Sequence, residues 1–161
     1  MSITRRTLLG GALGAALVPP LRSGAAPAGE TRRIPSTGAE IPAVGLGTWI
    51  TFNVGDDPVL LKGCTEVMAA FFDEGGGMID SSPMYGSSQD TLGHGLSRLG
   101  RPETLVAADK VWTSAPAEGP AQMAQSRAEW GVARFELMQV HNLVAWEGHL
   151  DWLFARRAAG A

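Results

Sequence analysis

Four side chains could do chemistry together if the fold brings them to one place: Asp80, Tyr85, Lys110 and His141. Asp80 follows the apolar pair Met78-Ile79. Lys110 lies at the end of a run over 105–108, and His141 ends a run over 135–140. Tyr85, the only tyrosine, lies five residues beyond Asp80 in Ser81-Ser82-Pro83-Met84-Tyr85-Gly86. A phenol releases its proton near ~10, too high for efficient transfer at neutral pH. A neighbouring ammonium favours the phenolate, and a carboxylate beside the ammonium keeps that charge in place. An imidazole can hydrogen-bond a substrate oxygen and fix its orientation. Such a set is a proton donor aimed at a carbonyl, with electrophilic help for the negative charge that develops. It has no electron source, so a reduction needs a hydride carrier, for which nicotinamide is the usual choice.

The segments that must position these residues alternate between two periodicities. Residues 33–42 read as a small hairpin around Thr37-Gly38. Residues 43–47 form a short apolar run ending in glycine, a candidate buried strand. A helix beginning at Pro58 carries Leu60, Leu61, Cys64, Val67, Met68, Phe71 and Phe72 on one continuous face, until Gly75-Gly76-Gly77 end it. Ser87 or Ser88 can cap a second helix with Leu92, Leu96 and Leu99 aligned. Pro120 suits the start of a third helix running to about Trp130, and a fourth covers 147–157. The strands before these helices stop at Asp80, Asp109-Lys110 and His141.

Apolar strands alternating with helices imply a parallel sheet covered by helices. Two α/β architectures fit: an open doubly wound sheet, or part of a (β/α)8 TIM barrel. Gly45-Leu46-Gly47 is followed by Thr48-Trp49, so the third glycine of a dinucleotide fingerprint is missing. In a parallel barrel the loops after the strands share one mouth, and the four reactive side chains would converge there.

Composition bounds the remaining possibilities. The 161 residues suit one domain. Basic residues number 13 and acidic ones 16. Such a balance leaves no electrostatic footprint for DNA or RNA. Cys64 is the only cysteine, which excludes an internal disulfide and a multi-cysteine metal site. His94, His141 and His149 show no H-x-H or H-E-x-x-H spacing, so no metal is expected.

Residues 1–28 have the anatomy of a cleavable export signal. Arg5-Arg6 precede an apolar, small-residue run over 8–18, followed by Pro19-Pro20 and the small-residue stretch 23–28. Eleven helical residues span ~16 Å, about half a bilayer core, so the run is not a membrane span. The paired arginines resemble the twin-arginine type. That implies the export machinery as a partner, and a periplasmic or otherwise exported location. Removing Arg5, Arg6 and Arg22 raises the acidic excess from 3 to 6.

The four clusters Ile41-Pro42-Ala43-Val44-Gly45-Leu46-Gly47-Thr48-Trp49, Gly76-Gly77-Met78-Ile79-Asp80-Ser81-Ser82-Pro83-Met84-Tyr85-Gly86, Ala108-Asp109-Lys110-Val111-Trp112 and Leu137-Met138-Gln139-Val140-His141-Asn142 together resemble the aldo/keto reductase superfamily, in order and in register. The resemblance implies a (β/α)8 barrel with an N-terminal hairpin over its bottom. It implies NADPH-dependent reduction of a small aldehyde or ketone, without a metal. It assigns Tyr85 as general acid, Lys110 and Asp80 as its tuning pair, and His141 as the group that orients the carbonyl. Gly47, Thr48 and Trp49, with Asp80, would lie at the nicotinamide; Trp49, Trp112 and Asn142 would line the substrate pocket.

Two departures stand beside that resemblance. A complete barrel takes ~250 residues, and 34–161 cover about half of that. The chain is therefore expected to hold the hairpin and about four βα units, without the half that grips most of the cofactor in the family, and to be inactive as this fragment. It would be a truncated reading frame, a chain that pairs with its own copy, or one that pairs with a second half-barrel. Asp109, where a small or hydroxylated residue is commoner, should point by alternation into the barrel wall, where an unpaired carboxylate is costly.

Overall fold

The computed structural model describes residues 29–100 and 102–160. The export-signal reading of 1–28 lies outside them. The hairpin forms where expected. Strands β1 (Thr31–Arg33) and β2 (Glu40–Pro42) pair antiparallel. Gly38 takes φ +73° at the turn and its N–H bonds Ile34 O at 2.8 Å, a left-handed conformation that favours glycine.

Four strand-helix units follow: β3 (Gly45–Gly47) with α1 (Pro58–Asp73), β4 (Met78–Asp80) with α2 (Ser88–Leu99), β5 (Val106–Val111) with α3 (Gly119–Trp130), and β6 (Leu137–Val140) with α4 (Trp146–Ala158). The strands pair parallel in the order β3-β4-β5-β6. Consecutive helices touch, α1 against α2 and α2 against α3. A sequential strand order with helices side by side is half of a (β/α)8 barrel; a doubly wound sheet would reverse its order and place helices on both faces.

The core lies between the strands and helices. Phe52, Cys64, Met68, Ile79, Leu92, Leu96, Ala107 and Trp130 form it. Asp57 caps α1, its carboxylate accepting from the N–H groups of Val59 and Leu60. Glycines at the left-handed C-caps end α2 (Gly100) and α3 (Gly131).

Several expectations need correction. β5 does not stop before Asp109-Lys110. It runs to Val111, because β6 offers a ladder in which Asp109, Lys110 and Val111 pair with Met138, Gln139 and Val140. The run over 43–47 is not a buried strand: Gly45 and Gly47 are exposed, since β3 has a partner on one side only among the described residues. The α1 face is not wholly covered. Cys64 and Met68 are buried, but Leu60 and Val67 are each 51% exposed. Ser87 occupies the N-cap of α2 without capping it; its hydroxyl instead binds Asn53 Oδ1 and receives the Gly55 N–H. A short 3-10 turn at Pro116–Glu118, and a tight turn at His141–Leu143 in which Asn142 and Leu143 take left-handed φ of +54° and +56°, were not foreseen.

Candidate active site

Register decides which side chains meet. Asp80 pairs with Ala108 across β4–β5, and Lys110 pairs with Gln139 across β5–β6. Alternation then puts Asp80, Ser82, Lys110, Gln139 and His141 on one side of the strand ends. Asp109 faces the other way, toward α2 and α3, where Gln89 reaches it.

The four expected catalytic residues are brought together. Lys110 Nζ lies 2.5 Å from Asp80 Oδ2 and also donates to Ser81 O at 2.9 Å. Its ammonium sits 5.3 Å from the centroid of the Tyr85 ring. The Lys110 side chain is only 11% exposed, so this charge acts in a poorly hydrated place. The His141 ring meets Tyr85 edge-on, centroids 5.4 Å apart. Burial and the Lys110 charge push the His141 pKa below its ordinary value, against the opposing pull of Asp80.

The loop that carries Tyr85 is fixed by contacts to the loop after β3. Asn53 Oδ1 accepts the N–H of Ser87 at 3.0 Å. Gly86 takes φ +60°, and a Cβ there would stand 2.3 Å from that Asn53 oxygen. Glycine is therefore required immediately after Tyr85 on both counts.

The expected cofactor residues occupy the adjoining rim. Gly47 is exposed, with open space where a Cβ would be. Trp49 is 60% exposed and its ring lies 6.4 Å from that of Tyr85. Thr48 is fully buried, and its hydroxyl bonds Asp80 O at 3.0 Å and Ser81 Oγ at 2.8 Å. Its side chain ties the end of β3 to the end of β4, and its carbonyl accepts from the Ser88 hydroxyl at 3.2 Å and the Phe52 N–H at 3.1 Å, so Thr48 acts here as a tie between strands. Trp112 and Asn142 are both exposed at the same end, and Asn142 Nδ2 contacts Met84 Sδ at 3.8 Å.

Three contributors were missed in the sequence. Gln139 Nε2 donates to Asp80 Oδ1 at 3.1 Å, so both carboxylate oxygens are held. Ser82 Oγ lies 2.6 Å from His141 Nδ1. Gln122 clamps the main chain of Trp112, accepting its N–H at 2.6 Å and donating to its oxygen at 2.8 Å. Gln139 and Ser82 each lie two residues from a recognised site residue, so alternation alone could have found them.

The open space at Gly47, next to the exposed Trp49, would admit the flat face of a ring. The polyanionic end of a dinucleotide is a different matter. The loops after the four strands, 48–57, 81–87, 112–118 and 141–145, contain no Lys or Arg. Lys110 is the cation at this end and is committed to Asp80. Among the described residues, no group of three or more His, Cys, Asp or Glu could hold a metal ion.

The structure is a parallel half-barrel with Tyr85, Lys110, Asp80 and His141 gathered at its C-terminal strand ends. The aldo/keto reductase family pattern matches residues 43–148, and the chain belongs to that family. No curated protein matches it. An aldo-keto reductase from Pseudomonas aeruginosa is 24% identical, with 81% of this chain and 56% of that one covered at TM-score 0.67. A glycerol dehydrogenase from Gluconobacter oxydans is 27% identical, covering 68% of this chain and 38% of its own at TM-score 0.56. An aldo-keto reductase from Klebsiella pneumoniae, solved with NADPH, is 22% identical, with 65% and 36% covered at TM-score 0.56. The chain spans about half the length of the solved structures it matches, or less.

Proposed function

We propose that the protein is the proton-transfer half of an NADPH-dependent reductase of small aldehydes or ketones. The observation that carries this reading is the contact set Asp80–Lys110–Tyr85–His141 at the ends of three adjacent parallel strands. NADPH, when bound, supplies the hydride to the carbonyl carbon. The Tyr85 hydroxyl gives its proton to the carbonyl oxygen. Lys110 stabilises the charge that develops on the phenol oxygen, and Asp80, held by Gln139, keeps the ammonium in place. His141 hydrogen-bonds the carbonyl oxygen. Gly47 and Trp49 would hold the nicotinamide end, and Trp49, Trp112 and Asn142 would border the substrate.

The test is NADPH oxidation with an aromatic aldehyde, measured for the chain extended into a complete barrel and for Tyr85→Phe in that protein. The expected result is a rate roughly 10²–10⁴-fold lower in the variant, with its fold unchanged. Equal turnover in both would end the assignment. The twin-arginine reading of Arg5-Arg6 adds export of the folded protein to this proposal. Replacing both arginines by lysine should keep the chain in the cytoplasm.

A second reading is favoured by one observation. Val59, Leu60 and Val67 on α1, and Phe154 on α4, are exposed on the helices that follow the outer strands β3 and β6. A half-barrel that folds by association with a copy or a second half would cover them. Gel filtration with NADPH fluorescence titration separates the readings: a dimer that binds no NADPH favours the second.

A further inference from the structure

Ser82 is fully buried, and the proton transfer above makes no use of it. Its oxygen accepts the N–H of Met84 at 3.2 Å and lies 2.6 Å from His141 Nδ1. A buried hydroxyl must place its own proton on an acceptor. Among the described residues, the acceptor within reach is Nδ1 of His141. If that nitrogen instead donated to Ser82, the hydroxyl oxygen would receive two N–H groups and its own proton would be stranded in a buried site, a costly arrangement. A neutral ring that accepts at Nδ1 carries its proton on Nε2.

We propose that Ser82 is a positioning residue: by donating to Nδ1 it fixes His141 as the Nε2–H tautomer, the form that can donate to a substrate oxygen. The edge-on contact with Tyr85 orients the ring plane, and Ser82 settles which nitrogen carries the proton. The relevance to catalysis rests on the reductase reading; the tautomer itself does not.

The experiment is long-range proton–nitrogen correlation NMR on the 161-residue chain labelled with ¹⁵N-histidine, at neutral pH, with His141→Gln to assign the signals. Wild type should show a protonated Nε2 and an unprotonated Nδ1 at His141. Ser82→Ala should give the averaged signals of two exchanging tautomers, and Ser82→Thr, which keeps the hydroxyl, should restore the wild-type pattern. In the aldehyde assay, Ser82→Ala should lower kcat/KM roughly tenfold. A wild-type His141 protonated on Nδ1 overturns the proposal. So does a Ser82→Ala spectrum identical to wild type. The spectra need no cofactor, so the Nε2–H tautomer found alongside an extended chain without reductase activity rejects the reductase reading and leaves this one standing.

Discussion

Lys110 Nζ sits 2.5 Å from Asp80 Oδ2, a bond that reaches from β5 back to β4 between residues two positions out of register. It does two things at once. It ties adjacent strands together at the rim, and it holds a cation beside the Tyr85 ring.

Removing the cation should therefore be felt in both stability and rate. Lys110→Met leaves Asp80 with Gln139 as its side-chain partner. The Asp80 side chain is 32% exposed and can recruit water, so the cost should be about 1–2 kcal/mol, less than for a fully buried pair. Urea denaturation measures it. Carbonyl reduction should fall at least as far as in Tyr85→Phe. Lys110→Arg should not rescue it, because a planar fork cannot take the place of a compact ammonium.

Asp109 gives a pH dependence of opposite origin. Burial pushes its carboxyl up to about 6, against the opposing pull of the nearby Lys110 N–H, Ser126 and Gln89 and of the Lys110 charge. Gln89 Nε2 donates to Oδ2 at 2.8 Å. The Ser126 hydroxyl lies close, but its bond goes to Gln89 Oε1 at 3.2 Å, and Oδ1 of Asp109 has no hydrogen-bond partner. A raised carboxyl pKa means that the fold disfavours the charged form. Stability is then lost as pH rises from about 4 to about 6, by about 3 kcal/mol in all. Asp109→Asn should abolish that loss and unfold at higher urea than wild type at pH 7–8. An Asp109→Asn midpoint below wild type at every pH would show that the carboxylate is well solvated.

His141 works in the other direction. Its folded pKa lies below the ordinary 6.5, from burial first and Lys110 second, with Asp80 opposing. The unfolded chain then binds the extra proton more readily, so stability falls as pH drops below about 6.5. His141→Gln should flatten that acid limb in thermal melts taken from pH 7 to pH 5. Asp109→Asn should leave the limb in place, which separates the two groups.

How much of this was legible follows from what each feature depends on. The convergence of Asp80, Lys110 and His141 could be read because they stand at the ends of apolar runs, and parallel strands deliver run ends to one rim. The boundaries of β5 could not, since Asp109 and Lys110 enter the strand only because β6 supplies a ladder for them. Propensity alone cannot see a partner strand. The exposed Leu60 and Val67 were misjudged for the same reason: periodicity marks an apolar face, not how much of it a neighbour covers. Asp109 was anticipated as pointing into the wall, but its contact with Gln89 depends on how α2 lies across the sheet. Thr48 was read as a cofactor residue from sequence likeness, and its burial is a matter of loop geometry.

The packing of α2 against α3 makes the sharpest stability prediction. Gly93 lies at a close contact of these helices: a Cβ would stand 1.8 Å from the main-chain oxygen of Glu129. That neighbour is backbone, so no side chain can turn aside; one helix must move. Gly63, in α1, has nothing within 4 Å of the same construction. Alanine in a helix is otherwise favoured over glycine by ~0.5–1 kcal/mol. Gly63→Ala should therefore raise the melting temperature slightly. Gly93→Ala should lose that gain and a further ~1–3 kcal/mol or more to overpacking, and loosen the burial of Trp130 behind it. Paired urea melts followed by tryptophan fluorescence measure the contrast, and equal midpoints for the two variants would mean that α2 and α3 stand further apart than described.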